Sequence, residues 1–349
     1  MRVRLEDVAR AAGVSPKTVS RVLNDEANVR APTREKVLAA MAAMDYRPHQ
    51  SARSLASNRS FLIAMLYDNP SSNYLTEIQA GVLEACDLHH YSMMVRPLHM
   101  EEADFVERVD RLISHHRPDG LVLTPPITDH PALLQRLHER RVLYASVSPI
   151  DHAGTIGAFI DEPEAARRMM ATLLALGHRR IAHVIGHPDH GASQWRLAGY
   201  RAALAEAGLP SDPELEVAGD FSFGSGVAAA RRLFSLPHGR GPTAVFAAND
   251  DMAAGVIWAA GEHGLSVPED VSVCGFDDTP IARQIWPTLT TIHQPSREMG
   301  RIAALQLLDS LRGRGPGAMV QAPFSLELRE STAPAATCRD DGGICCKAN

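Results

Sequence analysis

The 349-residue sequence lacks the common signatures of catalysis: it contains no GxxxxGK[ST] phosphate loop, no GxSxG nucleophile elbow and no HExxH zinc helix. Sixteen histidines and 41 acidic residues keep acid–base chemistry conceivable. The adjacent Asp277 and Asp278 could imitate a glycosidase pair, but neighbours on an extended chain point to opposite faces. We therefore expect no catalytic residue and no cofactor. The five cysteines are odd in number and form no CxxC pair, which argues against a disulfide framework and against a thiolate metal site. Cys86 and Cys274 fall in apolar patterns and read as core, whereas Cys338, Cys345 and Cys346 lie in TCRDDGGICCKAN, read as a disordered tail over 336–349. The start, MRVRLEDVAR, has no apolar signal region, and no run is long enough to cross a bilayer. A cytoplasmic protein without a membrane partner is the expectation.

What is present is uneven. At 45% hydrophobic and 22% charged the composition is that of a folded chain of two or three domains. The net charge of −6 hides a division: residues 1–60 hold 11 Lys and Arg against 6 Asp and Glu, and the remainder holds 24 against 35. A basic head on an acidic body is the charge footprint of a nucleic-acid-binding unit joined to something else.

The head is organised around LEDVARAAGVSPKTVSRVLN, Leu5 to Asn24. A first helix over Glu6 to Ala12 would carry Val8 and Ala12 on one face and end at Gly13, which tolerates the left-handed turn out of a helix. Ser15 reads as the cap of a second helix, with Pro16 at the first position, where its missing N–H costs nothing. Val19, Val22 and Leu23 then face inward, leaving Lys17, Thr18 and Arg21 on the opposite face, as major-groove reading requires. A third helix, Thr33 to Met44, completes the bundle with Val37, Ala40, Met41 and Met44. A bare helical bundle with polar outer faces is the competing reading.

The motifs DVARAAGVSPKTVSRVLN, TREKVLAAM, YRP and ARSL, in that order, resemble the LacI/GalR family of transcriptional regulators. The resemblance implies a helix-turn-helix domain over 1–48 and a hinge helix over 49–60, which is too short to be stable alone. It also implies that the hinge inserts Leu55 into the minor groove at the centre of a palindromic operator. The DNA contacts expected on this basis are Ser15, Lys17, Thr18, Ser20, Arg21, Asn24, Arg53 and Leu55. The partners implied are double-stranded DNA, a small-molecule effector and a second copy of the chain. No leucine heptad follows Arg329, so a homodimer is the simplest assembly.

From Phe61 strands and helices alternate, which calls for parallel sheets covered on both sides. The expected fold is an all-α headpiece followed by an α/β body of two doubly wound lobes, which the resemblance describes as periplasmic-binding-protein type. Lobe one would comprise 61–161 and 292–322, and lobe two 162–291 and 323–335. Ligands of such sheets sit beyond the carboxyl ends of the strands. Asp68, Ser148, Asp161, His187, Asp220, Phe221, Asn249, Asp250, Asp277 and Asp278 fall there. Carboxylates, amides and rings suit a neutral polyol.

Residue by residue, the family pattern marks Tyr74, Ser193, Arg196, Phe221, Asn249 and Asp277 as effector contacts, and Asp161 joins them from its place at a strand end. Asn249, Asp250 and Asp277 could instead be helix caps, Arg196 a surface residue, and Tyr74 and Phe221 plain core. In GHPDHG, Pro188 spoils a helical spacing of His187 and His190, so a loop rather than a metal pair is expected there. The function this supports is a DNA-binding regulator, most simply a repressor of carbohydrate-utilisation genes controlled by a mono- or disaccharide. A purine or sugar phosphate as effector, a glycoside-acting enzyme and a transporter's solute-binding protein are the alternatives.

Overall fold

The computed structural model describes residues 3–23, 28–46, 59–315 and 317–335. Asn24, Arg53, Leu55, the hinge segment up to residue 58 and the three tail cysteines lie outside the described residues.

The head holds three helices, α1 (Leu5–Ala12), α2 (Pro16–Leu23) and α3 (Ala31–Ala43). Gly13 turns the chain at φ 66°, and its N–H reaches the Ala9 and Arg10 carbonyls. Ser15 Oγ accepts from the Thr18 N–H at 3.1 Å, so the second helix starts where its cap requires. Val8, Val19, Val22 and Val37 are buried together, with Ala40, Met41 and Met44 packed around them. α3 begins at Ala31, two residues earlier than the sequence suggests, because Pro32 fits a first turn that needs no N–H.

The body opens with β1 (Leu62–Tyr67), α4 (Ser72–Leu88), β2 (Ser92–Pro97), α5 (Phe105–His116), β3 (Gly120–Leu123), α6 (Pro131–Glu139), β4 (Tyr144–Val147) and β5 (Gly157–Phe159). It continues with α7 (Glu162–Ala175), β6 (Ile181–Ile185), α8 (Gly191–Glu206), β7 (Glu216–Ala218), α9 (Phe223–Phe234), β8 (Ala244–Ala247), α10 (Asp250–Glu262) and β9 (Ser272–Cys274). It closes with α11 (Ile281–Gln284), β10 (Thr291–His293), α12 (Ser296–Leu311), β11 (Met319–Gln321) and β12 (Ser325–Glu327).

Two parallel sheets result, in the orders β11-β5-β4-β3-β1-β2 and β7-β6-β8-β9. On β1, Ile63 and Met65 enter one buried cluster, under α4 and α12, while Ala64 and Leu66 enter another, under α5 and α6. Both faces of the strand are dry, which is why FLIAMLY reads as a continuous apolar run rather than an alternation. The chain leaves the first sheet after β5, returns to it through β10 and leaves it again through β12; β10 and β12 pair antiparallel. Ser331, just beyond, exchanges backbone and hydroxyl hydrogen bonds with Val273 of the second sheet.

Polar caps set several helix starts ahead of the first core-facing residues, as in α9 at Phe223 and α10 at Asp250. Periodicity registers only residues that face the core. The polar caps Ser222 and Asn249, which accept from Ser225 N and Met252 N, set the true starts of α9 and α10. β5 and β11 carry three residues each, too few for a pattern to show.

Close approach of helix pairs rests on glycine. A Cβ at Gly81 of α4 would strike the Arg297 carbonyl of α12, and one at Gly300 of α12 would strike the Ile78 carbonyl of α4. Gly81→Ala should therefore push α4 from α12 at a cost of about 1–3 kcal/mol, read as a thermal midpoint several degrees lower. An unchanged midpoint would show that the pair can separate freely.

Candidate ligand-binding cleft and nucleic-acid interface

Residues beyond the strand ends of both sheets meet at one pocket. Ser71 and Tyr74 follow β1, Pro125 follows β3, Ser148 follows β4, His190 follows β6, Phe221 follows β7, Asn249 follows β8, Asp277 follows β9, and Gln294 follows β10. Parallel strands point their carboxyl ends the same way, so one contact per strand converges on the cleft. Across it, Ser71 Oγ of the first lobe donates to Asp251 Oδ2 of the second at 2.9 Å.

Arg196, on α8, lies at the centre and is 4% exposed. Its Nε donates to Glu162 Oε2 at 2.7 Å, its Nη2 reaches Glu162 Oε1 at 3.3 Å and Gln294 Oε1 at 3.4 Å, and its Nη1 donates to the Ala248 carbonyl. Asp277 Oδ1 stands 3.5 Å from Nη2, and the guanidinium lies over the Phe276 ring at 3.5 Å. Burial raises the Asp277 carboxyl well above the usual carboxylate range, more than the Arg196 charge lowers it. Burial also lowers His190 to about 3, helped by His187 and Arg196, so its imidazole is neutral, able to give one hydrogen bond and accept another.

Three cleft residues adopt left-handed backbone without being glycine: Ser148 at φ 47°, Phe221 at φ 70° and Asp277 at φ 106°. Such conformations cost energy and persist where surrounding structure over-determines them. Phe221 shows how: its ring fills the place a Cβ on Gly186 would take, and His190 packs edge-on to it with centroids 5.1 Å apart. Ser148 Oγ is buried near the Tyr74 hydroxyl without a well-formed hydrogen bond.

Of the seven sequence-marked effector residues, Tyr74, Arg196, Phe221, Asn249 and Asp277 line this pocket. Asp161 and Ser193 do not. The Asp161 carboxylate caps α7 by accepting from Glu164 N at 3.0 Å, and Ser193 Oγ is turned to the His187 carbonyl at 2.6 Å. Asn249 caps α10 and also donates Nδ2 to the Phe221 carbonyl at 2.9 Å, so the capping and lining roles coincide. Asp250 is a buried tie to Thr279 and Thr291, and Asp278 is held by Arg283, Arg329 and His293. Asp68, His187 and Asp220 line an outer recess of about 690 Å³ that shares Asn69 and His190 with the inner pocket. Cys86 and Cys274 are free and buried.

Sequence reasoning missed Glu162, His190 as a lining residue, and Gln294. Only the acidic first turn DEPE hints at Glu162, and nothing local pairs it with an arginine 34 residues away.

On the head, Lys17 is exposed on α2, and Thr18, Ser20 and Arg21 are half-buried. The Thr18 hydroxyl hydrogen-bonds Ser15 Oγ at 2.9 Å, so it is oriented by the helix cap. Among the described residues no group of three His, Cys, Asp or Glu is arranged to hold a metal, and no helix is long and apolar enough to cross a membrane.

Residues 4–49 match the family described as bacterial regulatory proteins, lacI family, and residues 170–332 match the periplasmic binding protein-like domain. The catabolite control protein A of Priestia megaterium is 32% identical over 337 residues, spanning 95% of this chain and all of that protein. The chain belongs to the LacI family. This regulator is also 37% identical over 303 residues to the ribose operon repressor of Escherichia coli K12, covering 86% of the chain and 90% of that protein. A solved lac repressor dimer bound to operator and the anti-inducer ONPF superposes with a TM-score of 0.77 at 32% identity, over 95% of this chain and all of that one. These relatives are DNA-binding transcriptional regulators and not enzymes, and the fold is the family's: a helix-turn-helix headpiece and an α/β body of two parallel sheets.

Burial raises Asp250 to about 7, against 3.8 for an ordinary aspartate, with Asp278 adding to the rise and the Thr279 and Thr291 hydrogen bonds opposing it. Between those limits the folded chain holds a proton that the unfolded chain has released, so Asp250 subtracts stability as pH rises. Asp250→Asn retains an acceptor for Thr279 and a group that can pair with the Thr291 hydroxyl. The variant's thermal midpoint should gain on the native one by several degrees from pH 5 to pH 8. A difference independent of pH would show that Asp250 ionises without penalty.

Proposed function

We propose that this LacI-family regulator represses carbohydrate-utilisation genes. As a homodimer it binds a palindromic operator through Ser15, Lys17, Thr18, Ser20, Arg21, Asn24, Arg53 and Leu55, and a mono- or disaccharide held between the lobes controls that binding. The observation that carries the carbohydrate reading is the convergence of Asn249, Asp277, Arg196 and Gln294 with the rings of Tyr74 and Phe221 in one pocket. Paired donors and acceptors beside apolar rings match the hydroxyl edge and the C–H face of a sugar. The relatives support it: one is named a ribose operon repressor, and the lac repressor structure holds operator and an anti-inducer.

The free volume among the pocket side chains is about 30 Å³, far below that of an open ligand pocket. A sugar therefore enters only as the lobes part or the side chains turn, and a ligand that binds one lobe arrangement better shifts the population towards it. That preference is what links the cleft to the operator.

Fluorescence anisotropy on the chain's own upstream DNA, at fixed salt and with a panel of mono- and disaccharides, tests the reading. One sugar should release the DNA, and Asp277→Asn should abolish the release while leaving operator affinity in place. Specific DNA binding that no sugar alters would retain the regulator and refute the carbohydrate effector. Lys17→Ala should cost about 1–3 kcal/mol on the operator and relax specificity there; an equal loss on random DNA would contradict base reading by Lys17.

A further inference from the structure

Arg196 is the only lysine or arginine among the described residues that line the inner pocket, and its charge is already answered. A guanidinium has five donors in a fixed fork. One goes from Nε to Glu162 and one from Nη1 to the Ala248 carbonyl, while Nη2 faces Glu162 and the Gln294 amide oxygen. About one donor is left for a ligand. Stacking on Phe276 fixes the plane of the group, so it cannot swing to meet an incoming anion. Glu162 is itself 1% exposed, and a buried carboxylate does not exchange its partner for water without a large cost. Asp277 stands beside the pair as a second acidic group with no second cation.

One of the two recesses that flank the pocket has the same character; the other, which shares Tyr74, Asp277 and Gln294 with the pocket, carries Arg283 and Arg297, each already paired with a carboxylate, Asp278 and Glu84. The outer recess that shares Asn69 and His190 with the pocket is lined by Asp68, Glu101, Glu102, Asp189 and Asp220, with no lysine or arginine among its described residues. A phosphate or carboxylate entering from the acidic side would pass these groups, and from either side it would find no unpaired bidentate fork inside the pocket to receive it.

We propose that Glu162 is a specificity-determining residue: by occupying Arg196 it restricts the cleft to uncharged polyhydroxylated ligands of monosaccharide size and shuts out their phosphorylated and carboxylated counterparts. The inference rests on the carbohydrate reading above and narrows it to one charge class. Gln294 and Asn249 then supply hydroxyl recognition, and Arg196 acts mainly as a scaffold that holds Glu162 and Gln294 in place.

The test uses the full-length chain and its Glu162→Gln variant, with calorimetric titration and thermal shift against neutral pentoses and hexoses, their phosphate monoesters, the matching uronic acids and inorganic phosphate. In the native chain the neutral sugar that binds should do so on the order of a hundredfold more tightly than its phosphate ester. In Glu162→Gln that ratio should shrink or invert, and inorganic phosphate, inert towards the native chain, should raise the variant's midpoint. A native chain that binds the phosphate ester or uronic acid as tightly as the parent sugar, or that phosphate stabilises, overturns the proposal whether or not the variant folds. If no sugar binds the native chain but the variant gains phosphate binding, the carbohydrate reading falls and charge selection by Glu162 stands. If neither chain responds to any of these ligands, both fall.

Discussion

The buried ion pair of Arg196 and Glu162, with the Asp277 carboxyl beside it, is the constraint around which the body is arranged. Three acidic or basic side chains out of water are tolerable only when each is met by another or by a fixed dipole. Meeting that demand draws in the start of α7, the first half of α8, Ala248 just after β8, the segment after β9 and Gln294 just after β10. The cleft is thus polar because its floor is an ion pair that cannot be dismantled cheaply. The left-handed backbone at Phe221 and Asp277 is held against the same floor, one through Gly186 and the other through its neighbours on β10.

How much of this was legible in the sequence follows from how far each interaction reaches along the chain. The headpiece is local: the Gly13 turn, the Ser15 cap and the inward Val19 and Val22 lie within a dozen residues, so the pattern specified the helices and their faces. Strand ends were legible too, because apolar runs stop where polar residues begin, and Phe221, Asn249 and Asp277 stand at such stops. Glu162 and Gln294 were not, since their shared partner lies 34 and 98 residues away and no local periodicity encodes the pairing. Asp161 shows the opposite error: a residue at a strand end beside the cleft, whose carboxylate turned to the nearer claim of its own helix cap.

The two halves of the chain solve different electrostatic problems. The head keeps an excess of basic side chains on a small bundle whose apolar interior, among the described residues, is Val8, Ala9, Val19, Val22, Val37 and their neighbours. The body carries the acidic excess and places part of it beside the cleft, at Asp68, Glu101, Glu102, Asp189 and Asp220. Opposite charge on the two halves keeps the body from competing for the phosphate backbone that the head engages.

The interleaved path of the chain has a consequence for how the protein comes into being. β11 seals the edge of the first sheet beside β5 only after all four strands of the second sheet have been made, and Ser331 clasps that second sheet later still. Neither lobe is a contiguous stretch, so a growing chain leaving the ribosome exposes the β5 edge until β11 emerges. Completion of the two lobes is then a single late event. A cut or frameshift near residue 315 would undo both lobes at once, not the second alone.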